Sequence, residues 1–212
     1  MARIFNKPNT IAMSIIAAIL LTLCYLVMIA KIGPIYVEHG PMENMQVGLI
    51  IIAGLIYFSQ IFRFKGRSRE TCLFFFLLSV IFVAREIDFF KMEGEIPDPL
   101  YWLLGTHVGK AFFYVPALVI LFRQLTDFSY YKTHKSFYLK SSTFLFMSLA
   151  AFLLIVMSSS FDTKRWTFEY RHFFEELSEV IAYCAYVAAA IFMSFDLTKA
   201  SLLEQSSDEK VD

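Results

Sequence analysis

Charge is scarce in this chain. Of its 212 residues only 18% are Asp, Glu, Lys or Arg, against about a quarter in an average soluble domain, and the acids and bases cancel to a net charge of zero. A neutral chain has no bulk electrostatic attraction for nucleic acid. Cysteine is scarce as well. Cys24, Cys72 and Cys184 stand in apolar runs without CxxC spacing, so they read as small buried residues and not as a disulfide or a redox pair. The four histidines form no HxxxH pair, which argues against membrane di-iron oxygenase chemistry. An internal repeat is missing too, against the usual inverted-repeat transporter. No low-complexity segment and no stretch with room for a soluble domain is visible.

What is plentiful is apolar side chain. Hydrophobic residues make up 58% of the chain, with 24 Phe, and the mean hydropathy is +0.57. They gather in long continuous runs, so lipid is the expected solvent. Such runs suit helices, since outer-membrane strands alternate over ~10 residues. The amino terminus is basic at Arg3 and Lys7 and then apolar. Its apolar run exceeds the ~7–15 residues of a signal-peptide core and no small-x-small cleavage site follows, so an uncleaved first span is expected.

The fold class expected is all-α: one polytopic domain of six transmembrane helices over residues 1–212, with no soluble domain. The spans fall at about Thr10–Ile32, Met45–Phe62, Thr71–Phe90, Tyr101–Phe122, Leu139–Ser158 and Tyr170–Leu197, and a short cytoplasmic tail covers 199–212. Basic residues settle the expected orientation. With the amino terminus inside, the inner segments hold Arg3, Lys7, Arg63, Lys65, Arg67, Arg69, Arg123, Lys132, Lys135, Lys140, Lys199 and Lys210. The outer ones hold Lys31, Lys91, Lys164 and Arg165, with Arg171 at a helix mouth. Positive charge marks the cytoplasmic side, so both termini are expected in the cytoplasm of a bacterial-type inner membrane.

On that topology the ionisable residues inside the spans collect in the outer half of the membrane. Arg85, Glu86 and Asp88 end the third span; His107 and Lys110 lie early in the fourth; Glu43 opens the second, with the neutral polar Gln46 one turn on. On the sixth, His172, Glu175, Glu176 and Glu179 are spaced i, i+3, i+4, i+7 and so share one helical face. A lysine about ten residues into a span costs at least ~2.5–3.5 kcal/mol on insertion scales, so Lys110 calls for a partner or a task. Glu86 or Asp88 would supply that partner, with Gly105 and Gly109 letting the helices approach closely. Pro116 should kink the fourth span.

Three readings compete. The plainest is a satisfied polar network that fixes helix register. A second is a divalent metal, zinc or iron, held by His172, Glu175, Glu176 and Glu179 with His107 or His39. The third is acid–base chemistry among Lys110, Glu86, Asp88, Glu176 and Glu179. The function expected is an intramembrane hydrolase or transferase acting on a lipid or lipid-linked group. In it His172, Glu176 and Glu179 hold a metal or activate water, Arg85, Lys110 and His107 stabilise an anionic group, and Glu43 joins Arg85 and His107 in binding the ligand. The alternative is non-enzymatic: a proton-linked carrier, or a sensing or assembly subunit, using the same charges. Expected partners are membrane lipids and a second copy or another membrane subunit.

Overall fold

The computed structural model describes residues 7–36, 40–87, 89, 94–126, 139–162 and 170–208. Every regular element among them is helical. Helix α1 is Lys7–Cys24 and runs on through a π-helical stretch, Tyr25–Ile29; a 3-10 turn, Gly33–Tyr36, follows. Then come α2 (Pro41–Arg63), α3 (Gly66–Glu86), α4 (Asp98–Gly105) and α5 (His107–Thr126). Helix α6 is Ser142–Phe152, continued by a π-helical stretch, Leu153–Ser158, and a last turn, Ser159–Asp162. The chain closes with α7, Arg171–Asp208.

Five helices are long and apolar enough to cross a membrane: α1 with its π stretch, α2, α5, α6 and α7. The third expected span is the exception. Helix α3 forms, but its charges leave only Thr71–Ala84 free between Glu70 and Arg85. At 1.5 Å per residue that is roughly 20 Å, short of the ~30 Å hydrocarbon core.

Two compact units divide the chain. One comprises Met1–Gln46 and Ser136–Asp212, the other Val47–Lys135. In the first unit α7 is the central helix, and most of its membrane-length stretch is buried. Ala182, Ala185, Ala188, Ala189 and Ala190 keep its girth small, and Tyr183 and Val180 are fully buried. Small residues admit close neighbours where lipid supplies no hydrophobic drive. Helices α1 and α6 pack on it. Phe146 of α6 stacks on Phe192 (centroids 5.4 Å, planes 8° apart), Phe161 stacks on Phe174, and Tyr36 meets Phe173 edge-on.

In the second unit α2 and α3 pair closely. A Cβ on Gly54 would stand 3.1 Å from the Ser79 Cβ, and Tyr57 stacks on Phe75 at 5.3 Å. Helix α5 packs on α3. Arg123 reaches Glu70 at 2.9 Å and the Gln124 amide donates to the Thr71 hydroxyl at 3.0 Å.

The fourth expected span, Tyr101–Phe122, is not one helix. It divides at Thr106, whose extended backbone (φ −89°, ψ 153°) ends α4. The Thr106 hydroxyl donates to the Trp102 carbonyl at 2.6 Å and accepts the Gly109 N–H at 3.0 Å, so this one side chain closes α4 and caps α5. Helix α7 continues beyond the expected sixth span, through residues 199–208.

Candidate functional site

The acidic face of α7 belongs wholly to the first unit, and it is there that the structure brings expected residues together. Glu176 points at the start of α2. The Gln46 amide nitrogen donates to Glu176 Oε2 at 2.7 Å and to the Glu176 carbonyl at 3.3 Å. Gln46 is fully buried, and its Oε1 accepts no hydrogen bond among the described residues. An orphaned buried acceptor of this kind costs about 1–3 kcal/mol. The charges acting on Glu176 are all carboxylates: Glu179, Glu175 and, one turn before Gln46 on α2, Glu43.

One turn further along α7, Glu179 is held by α6. The Ser158 hydroxyl donates to Glu179 Oε1 at 2.8 Å, and Ser158 is itself buried. At the mouth of the helix His172 is exposed. Its Nδ1 lies 3.4 Å from Glu175 Oε2, and Arg171 Nη2 lies 3.2 Å from its Nε2. Nε2 thus faces the Arg171 guanidinium and Nδ1 faces the Glu175 carboxylate. Both ring nitrogens are thereby engaged within the helix mouth. Among the described residues no group of three or more His, Cys, Asp or Glu side chains is placed to hold a metal ion.

The other expected site residues lie in the second unit. Glu86 is taken by its neighbour Arg85, with Nη2 at 2.7 Å and Nε at 3.0 Å. The expected pairing of Glu86 with Lys110 does not form, and among the described residues Lys110 makes no ion pair. The break at Thr106 explains its tolerance. Lys110 stands in the first turn of α5, its N–H bonded to the Thr106 carbonyl, and not ten residues into a continuous helix. His107 is the first residue of α5 and exposed. Asp88 and His39 lie outside the described residues. Pro116 sits within α5.

Three contributors had no expected role. Gln46 was visible only as a polar residue one turn after Glu43. Ser158 ends an apolar run as the first of three serines, with nothing local to mark it. Asp196, deep in the last helix, accepts from the backbone N–H and the hydroxyl of Thr143 at the start of α6; its signal was a lone acid in an apolar stretch. In comparisons with protein-family models, with curated proteins and with solved structures, nothing matches the chain.

Proposed function

We propose that this chain is a non-enzymatic, proton-linked component of a bacterial-type inner membrane, a carrier or a sensing or assembly subunit. Its working group is the acidic face at the start of α7. The observation that carries this reading is the contact between Glu176, on a membrane-length helix, and the neutral amide of Gln46. A carboxyl in such a place is expensive unless it is used, and an amide partner lets it gain and lose a proton without breaking an ion pair. The topology that goes with it has six crossings, the short α3 crossing as the third with its terminal Arg and Glu side chains reaching to the interfaces, both ends cytoplasmic, and the site in the outer half among lipids. The loop charges support it.

The hydrolase or transferase reading keeps one observation in its favour, the Ser158 hydroxyl directed at the Glu179 carboxylate. A hydroxyl beside a base is the minimal outfit of a nucleophile, and a membrane lipid would be its substrate.

Proteoliposomes holding a pH-sensitive dye separate the two. Under an imposed proton gradient the wild type should change the internal pH and Glu176→Gln should not, while both unfold at similar temperatures. A silent dye, with lipid products found by mass spectrometry and lost in Ser158→Ala, would replace the carrier by the enzyme.

A further inference from the structure

Gln46 and Glu176 also carry an inference about what the site binds. Both N–H groups of the Gln46 amide are committed to Glu176, one to its carboxylate and one to its carbonyl. The amide oxygen, fully buried, has no donor among the described residues. Exchanging the amide's nitrogen and oxygen does not help, because the oxygen would then face two acceptors. A donor has to be brought to Oε1.

The surroundings narrow what that donor is. Helix α2 contributes Glu43 and α7 contributes Glu175 and Glu179, all acceptors when ionised. Helix α6 contributes the Ser158 hydroxyl, already given to Glu179. At the mouth of α7, His172 is engaged by Arg171 and Glu175. Helix α1 has no charged side chain after Lys7. The smallest donor that satisfies the amide needs no room at all: a hydrogen on Glu176 itself.

We propose that Glu176 and Gln46 form a carboxyl–carboxamide pair that binds one proton, held on Glu176 at neutral pH and donated to Gln46 Oε1. One Glu176 oxygen accepts the Gln46 N–H; the other carries the proton and donates it back. Two hydrogen bonds then close a ring, no net charge remains in the pair, and every polar atom of the amide is satisfied. Loss of the proton opens one bond of that ring and leaves a carboxylate facing three others. This assignment rests on the proton-linked reading for its use, though not for its geometry.

Infrared spectroscopy of the full chain in lipid nanodiscs, at neutral pH and with a chelator present, tests it. The wild type should show the carbonyl stretch of a protonated carboxylic acid that is lost in Glu176→Gln. In Gln46→Met, which removes the amide partner but keeps Glu176, that stretch should move to higher frequency. Loss of carboxylate bands alone in Glu176→Gln would overturn the proposal, as would an unmoved stretch in Gln46→Met. A protonated band that appears only when the chelator is added would overturn it in favour of a bound metal. The dye experiment reads flux and this one reads the proton's location. A protonated Glu176 without flux sinks the carrier alone, and flux through an ionised Glu176 sinks this assignment alone.

Discussion

Asp196 Oδ2 accepts two hydrogen bonds from a single residue, the Thr143 backbone N–H at 3.0 Å and the Thr143 hydroxyl at 2.7 Å. Thr143 is in the first turn of α6, where N–H groups lack helical partners, and Ser141 caps the next of them by accepting from Phe144. A carboxylate from the far end of α7 thus completes the start of the helix packed against it, with its charge on the favourable side of the dipole.

Asp196→Ala should therefore destabilise the protein by about 1–2 kcal/mol, as loss of a helix cap does. Asp196→Asn keeps an acceptor and gives up mainly the charge–dipole attraction, about 0.3–1 kcal/mol. Thermal unfolding in detergent should rank wild type above Asn and Asn above Ala. Equal melting of all three would mean that Asp196 is no cap.

The corner between α4 and α5 depends on Gly109. A Cβ there would strike the Trp102 carbonyl oxygen and come within 2.6 Å of the Leu103 carbonyl oxygen, both backbone atoms that cannot swing aside. Gly109→Ala should cost roughly 3 kcal/mol or more. Gly48, inside α2 with nothing within 4 Å of its Cβ position, is the control. Gly48→Ala should be neutral or stabilising by up to about 1 kcal/mol. Comparable yields and melting temperatures for the two variants would remove the close approach from the account.

Whether α3 crosses decides the sidedness of the ends. Five crossings put the termini on opposite sides and six put them on the same side. Reporter fusions at each end, active on only one face of the membrane, should both report cytoplasm. A carboxy-terminal reporter active outside would show that α3 does not cross.

His172 has both ring nitrogens occupied by Arg171 and Glu175. Its removal should leave the elemental content of the protein, purified in mild detergent, unchanged. A stoichiometric metal that disappears in His172→Ala would give the site to metal chemistry and set aside the acid–amide pair.

How much of this was legible beforehand varies from element to element. The long apolar runs by themselves determined that the chain is helical and where α1, α2, α6 and α7 lie, because a span must satisfy its own backbone within hydrocarbon. The spacing of His172, Glu175, Glu176 and Glu179 likewise determined a common face, since 3.6 residues make a turn whatever surrounds it. Other features required the folded chain. Gln46 meets Glu176 across 130 positions of sequence, Asp196 meets Thr143 across 53 and Ser158 meets Glu179 across 21. Hydrogen bonds at such separations leave no local period to read. The break at Thr106 was hidden for a related reason: hydropathy is blind to one hydroxyl that ends one helix and begins the next. Sequence alone thus specified which faces carry the acids. Tertiary structure chose their partners, because a partner is fixed by packing between helices, and packing is a property of the whole fold.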